Sequence, residues 1–130
     1  MDDKKLWAIF SQYIRLRDSN ENGFCKCITC PAIRYYKNMD AGHGVPRGNM
    51  ATKYHEKNNH AQCKICNGPV GKGRPKEYQE AVDKKYGPGT WDELKVLSRT
   101  VNKFGAFEIK TMIFYYTEEV EKLKASKNLR

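Results

Sequence analysis

From Lys4 to Arg17 the chain reads "KKLWAIFSQYIRLR", and Leu6, Ile9, Phe10, Tyr13 and Ile14 fall at the spacing of one helical face. The turn formers of "DSNENG" end that pattern at residues 18–23. A second helix is expected over "PKEYQEAVDKKYG", with Pro75 at its first position, Gly87 as its C-terminal cap and Tyr78, Ala81, Val82 and Tyr86 on one side. "TWDELKVLSRTV" predicts a third, opened by a capping box from Thr90 to Glu93. Residues 106–126 place Ile109, Met112, Ile113, Tyr116, Val120 and Leu123 on a single stripe, expected as core or as the seam of a homodimer. Between these helical ends, residues 24–74 keep no period and hold all the cysteines and histidines. The expected class is α+β in one domain over 1–130: an N-terminal helix (1–20), a loop-rich centre (24–74) and C-terminal helices (75–130).

Composition changes that picture in two ways. Only 39% of the 130 residues are hydrophobic, a thin core for this length, so a metal or covalent staple is expected. Lys and Arg number 24 against 15 Asp and Glu, a net charge of +9, which favours a polyanionic partner such as nucleic acid. The opening "MDDKKLWAIF" is acidic, then basic, and does not read as a signal peptide. No run approaches membrane-spanning length. A cytoplasmic, reducing setting is the expectation, and there clustered cysteines read as metal ligands.

"CITC" (Cys27, Cys30) and "CKIC" (Cys63, Cys66) are two Cys-x-x-Cys pairs separated by 32 residues. Four thiolates in two such knuckles fit a closed tetrahedral zinc site. A thioredoxin-type redox pair, an iron–sulfur cluster or four unconnected thiols are the competing readings; the redox pair lacks its strand-and-helix context. Cys25 is the expected odd one out. Between the knuckles, "NMDAGHGVPRG" sets His43 between two glycines, where an accessible imidazole could act as a general base; a solvated turn histidine is the plain alternative. Asn67 directly follows the second knuckle.

A histidine, a middle asparagine and a metal-holding residue just past a cysteine knuckle resemble the His-Asn-His, or ββα-metal, nucleases in their four-cysteine, endonuclease VII-like form. "LWAIFSQYIRLRD", "CITC", "DAGHGVPRG", "KYHEKNNHAQCKICN" and "YQEAVDKKYG", in that order, resemble the phage NinG/Rap recombination proteins over about residues 5–90. The resemblance implies a zinc-stapled ββα-metal core and a divalent-metal-dependent endonuclease cutting branched recombination intermediates such as Holliday junctions and D-loops. The setting it implies is the bacterial host of a phage. Carried onto this chain, His43 would be the general base and Asn58 (with Asn59 as fallback) the brace of the His-bearing loop. Asn67 would be a ligand of a catalytic Mg²⁺ or Mn²⁺, with zinc on Cys27, Cys30, Cys63 and Cys66.

One position departs from that pattern: where Asp or His commonly precedes the base, this chain has Gly42. Asp40 is then the nearest carboxylate for the cation, against a solvated turn residue; His60 is another candidate, though a structural hydrogen-bonding role is favoured for it. Arg34, Lys37, Arg47, Lys53, Lys72 and Arg74 are the expected DNA phosphate contacts, with Tyr35 and Tyr36 as stacking candidates. Rival functions are a zinc-stapled DNA-binding module without catalysis and a nuclease with the same site but no branch preference.

Overall fold

Helix α1 (Asp2–Arg17) forms where the apolar spacing predicts it and buries Leu6, Phe10, Tyr13, Ile14 and Leu16. The computed structural model describes residues 2–46, 48–100 and 102–130. Two antiparallel strand pairs follow. β1 (Phe24–Lys26) pairs with β2 (Ile33–Tyr35), so that the loop between them carries Cys27 and Cys30. β3 (Asp40–His43) pairs with β4 (Asn59–Gln62) in the register Asp40↔Gln62 and His43↔Asn59. One short helix, α2 (Met50–Lys53), lies in the connection between those strands, and another, α3 (Lys64–Asn67), leaves β4 through Cys63. The chain closes with α4 (Pro75–Tyr86), α5 (Thr90–Ser98) and α6 (Ala106–Ser126). The architecture is thus mixed helix and small sheets.

The core has two parts. In the larger, α6 lies along α1, with Tyr116 and Val120 buried and Ile109, Met112, Ile113 and Leu123 packed against the same cluster. Phe10 and Tyr116 meet edge to face at 5.0 Å. Complete burial of Leu6, Phe10 or Ile14 is worth about 1.5–3 kcal/mol each. The predicted stripe thus packs against α1 within its own chain, while another face of α6, bearing Phe107 and Phe114, lies in solvent. The smaller cluster joins Val45 to Tyr78 and Val82 of α4 and to Trp91 and Leu94 of α5.

Polar clamps hold the strands to the helices. The Glu56 carboxylate accepts from Tyr13 Oη at 2.9 Å and from Tyr116 Oη at 3.1 Å. Arg17 donates to the carbonyls of Glu56 and Asn59, and Asp18 accepts the Ala61 amide, so the C-terminal end of α1 grips β4. Helix α4 starts at Pro75 and stops at Gly87, whose φ of 115° favours a residue without a Cβ. Helix α5 departs from expectation: Gly89 caps it without a side-chain bond, while Thr90 lies inside the helix and donates back to the Gly87 carbonyl. Among the described residues no helix is long and apolar enough to cross a membrane.

Candidate active site and metal centre

The β1–β2 loop and the β4–α3 junction bring four cysteines together. The Sγ atoms of Cys27, Cys30, Cys63 and Cys66 all lie within 4.8 Å of one another. Cys30 Sγ and Cys63 Sγ are 3.7 Å apart. A disulfide needs about 2.05 Å, whereas a tetrahedron with Zn–S of about 2.3 Å has edges of about 3.8 Å. Backbone amides already point at the sulfurs: Cys63 N donates to Cys27, Cys66 N to Cys63, and Ala32 N to Cys30. Burial opposes a thiolate at Cys27, Cys30 and Cys63; the Cys63 amide and the Thr29 hydroxyl outweigh it at Cys27, whereas Cys30 and Cys63 stay raised, so the proton-bearing set favours one thiolate before a cation is bound. The donor set fits a structural zinc ion. Cys25 stands apart; its thiol is raised to about 11 by burial and donates to the Arg15 carbonyl at 3.2 Å.

Beside the tetrad a cavity of about 570 Å³ opens, and Asp40, His43 and Asn67 all line it. Asp40 and His43 come from the two ends of β3, and Asn67 ends α3, one residue past the ligand Cys66. Asn67 Nδ2 donates to Asp40 Oδ2 at 3.0 Å, and Lys64 Nζ donates to Asp40 Oδ1 at 2.8 Å. Burial works against charge on Asp40, but the bonds from Lys64 and Asn67 outweigh it and hold its pKa below the ordinary carboxylate value. Asp40 is therefore a partly shielded, ionised group.

His43 is half-buried at a strand end, not free in a turn, and its two glycines serve packing. A Cβ on Gly42 would collide with the Gln62 side chain, and one on Gly44 would lie 2.8 Å from Trp91 and 2.9 Å from Asn58 Oδ1. The imidazole stacks on Trp7 of α1, with ring centres 4.9 Å apart and planes 15° from parallel. Behind it, the wholly buried Asn58 accepts from Val45 N at 2.7 Å and donates to the carbonyls of Val45 and Thr52. That ring of bonds fixes the backbone just after His43. Asn59 bonds instead to the carbonyls of Lys53 and His55.

The structure separates the remaining candidates. His60 faces away from both sites, between Tyr78 Oη at 3.2 Å and Tyr86 Oη at 2.8 Å. Lys37 lines the cavity, while Arg34 and Arg74 line a neighbouring groove. Lys72 is exposed. Lys53 is not a free cation: it is largely buried in an ion pair with Asp3 at 2.9 Å. Tyr36 is buried and offers no ring face, while Tyr35 is half-buried and packs on Phe24 and Tyr36. Arg47 lies outside the described residues.

Sequence reasoning missed six cavity residues: Trp7, Ser11 and Arg15 from α1, then Met39, Ala41 and Lys64. The first three recur at i, i+4 and i+8 on the helix flank beside the apolar stripe, a signal present in the sequence. A family model described as Bacteriophage Lambda NinG protein matches residues 3–127. The chain belongs to the NinG family. No curated protein and no solved structure matches it. The matched span takes in α1 apart from Asp2, both cysteine pairs and all of α6, so in this NinG-family chain every element that builds the tetrad and the cavity lies inside the family's own region.

Proposed function

We propose that this NinG-family protein is a divalent-metal-dependent endonuclease of the ββα-metal class that hydrolyses phosphodiesters in branched DNA. The observation that carries this reading is the meeting of Asp40, His43 and Asn67 in one cavity braced by the cysteine tetrad and edged by Arg15, Lys37 and Lys64. β3, β4 and α3 stand as the two strands and the helix of such a core.

The carboxylate of Asp40 and the side-chain oxygen of Asn67 would hold Mg²⁺ or Mn²⁺, for which oxygen donors are suited. When bound, that cation supplies Lewis-acid stabilisation at the phosphate and the leaving oxygen. His43 takes the proton of the attacking water on its imidazole, whose orientation is set by the Trp7 stack and the Asn58 brace. Lys37, Lys64 and Arg15 hold the phosphate oxygens flanking the cut. In the protein itself Lys64 and the Asn67 amide nitrogen donate to Asp40, so Asp40 and the Asn67 oxygen would hold a cation only with that amide turned over.

The test incubates purified protein with a four-way junction and with linear duplex, with and without added Mg²⁺ or Mn²⁺. Expected is metal-dependent cutting that favours the junction and falls about 100-fold or more in His43→Ala, with DNA binding retained. Cutting that survives His43→Ala would overturn the assignment of the base. Binding without cutting under every metal condition would leave a zinc-stapled DNA-binding module instead.

A further inference from the structure

A second depression, of about 510 Å³, lies on the other side of Lys64, which lines both it and the candidate active-site cavity. Its apolar lining comes from Ala32, Ile65 and the tetrad residues Cys30, Cys63 and Cys66, with Ile65 projecting at the edge, and Arg34, Lys64 and Arg74 add positive charge. Ile65 lines this groove and is 64% exposed, so its side chain is open to a ligand there. It sits between the two tetrad residues Cys63 and Cys66, on the turn of α3 that carries half of the tetrad. The chain after α3 folds back over it: Gly71 N donates to the Ile65 carbonyl at 3.1 Å and Gly73 N to that of Cys66 at 2.8 Å. This turn also leaves Val70 80% exposed.

The same turn holds Lys72, Gly73 and Arg74 in succession in left-handed conformations, with φ of 54°, 86° and 49°. Gly or Asn would adopt that backbone more easily, so Lys and Arg here are placed against their own preference. A groove with an apolar lining, added positive charge and an aliphatic projection suits one kind of occupant. A base turned out of a DNA stack presents an apolar face flanked on both sides by phosphates. A hydrophobic peptide would match the apolar lining but leave the guanidinium groups unanswered.

We propose that this groove is a subsite for a nucleobase unstacked at a DNA branch, with Ile65 against the base and Arg34 and Arg74 on the adjoining phosphates. It rests on the DNA half of the function proposed above and requires no catalysis. Lys64 then lies under the strand as it passes from the groove to the cavity, so the subsite sets which phosphate reaches His43. Selection of branches follows from the cost of unstacking, which is least where bases are already loosely stacked.

The test uses a four-way junction carrying 2-aminopurine beside the branch point, titrated with full-length protein without added divalent cation. Saturating wild-type protein is expected to raise the fluorescence severalfold, because unstacking removes the quenching by neighbouring bases. Ile65→Ala is expected to abolish most of that rise while affinity for linear duplex and the melting temperature stay unchanged, since the side chain packs on little. Arg34→Ala with Arg74→Ala is expected to weaken junction binding and flatten its salt dependence. An undiminished rise in Ile65→Ala, or no rise in the wild type, overturns the proposal. So does an Ile65→Ala protein that loses self-association but still unstacks the base, which would give the groove to a second copy. If the base unstacks but no cutting occurs with metal, the nuclease reading fails and the subsite stands; cutting without unstacking does the reverse.

Discussion

A methyl group on Gly42 would meet the side chain of Gln62, which is itself wholly buried and donates to the Gly73 carbonyl and the Thr29 hydroxyl. The position before His43 is thus closed to the Asp or His that related sites are expected to carry there. Gly42→Ala is predicted to lower stability by about 1–3 kcal/mol through overpacking, and Gly42→Asp by more, with no gain in metal affinity; thermal melts and metal titration of both check this. The sequence makes these glycines look like a way of exposing the imidazole. Their actual role depends on Gln62, Trp91 and Asn58, which are distant along the chain and come near only through the β3–β4 register and the α5 packing. By contrast Asp40, His43 and Asn67 are candidates through the family resemblance, whose motif positions survive any detail of packing. Lys53 misleads for the same reason as Gly42: nothing local announces its ion pair with Asp3.

Helices α1, α4 and α6 are readable because their apolar period runs over three or more turns, whereas β1 to β4 are strands of three or four residues, too short to show alternation. Their pairing is set by the helix ends that clamp them and by the cysteines. One such clamp has a measurable signature. Tyr78 gives its only hydroxyl proton to the Gly42 carbonyl at 2.7 Å, so His60 must donate to it from Nδ1 and accept from Tyr86 at Nε2. Burial holds this imidazole neutral by pushing its pKa down to about 3, from an ordinary 6.5. Below pH 6.5 the unfolded chain therefore binds a proton that the folded chain refuses, and stability falls as pH falls towards 3. Between pH 7 and 5 the loss is about 2 kcal/mol from this residue. Denaturant melts of wild type and His60→Phe at both pH values should show a smaller pH effect in the variant; equal slopes would contradict the neutral, buried imidazole.

At the scale of the molecule, the α1–α6 pair is a sizeable apolar core while the centre rests on very short strands and the cysteine tetrad. The tetrad joins the β1–β2 loop to the β4–α3 junction, and Asn67 follows Cys66 directly, so zinc, when bound, sets the position of one wall of the cavity. Stability and site geometry should then separate on metal removal. Purified protein is predicted to hold about one tightly bound zinc per chain. Cys25→Ser should keep it, because that thiol is a neutral donor to the Arg15 carbonyl outside the tetrad. Cys63→Ser should lose it, and with it the protection of β4 and α3 amides from hydrogen exchange, while the helical signal of α1 and α6 persists. A Cys63→Ser protein with full protection across residues 59–67 would mean that the hydrogen bonds alone hold the centre. Uniform collapse of α1, α6 and the centre together would mean that the apolar core does not stand without the metal, since burial of Leu6, Phe10 and Ile14 would then fail to offset the ordering entropy of the helices.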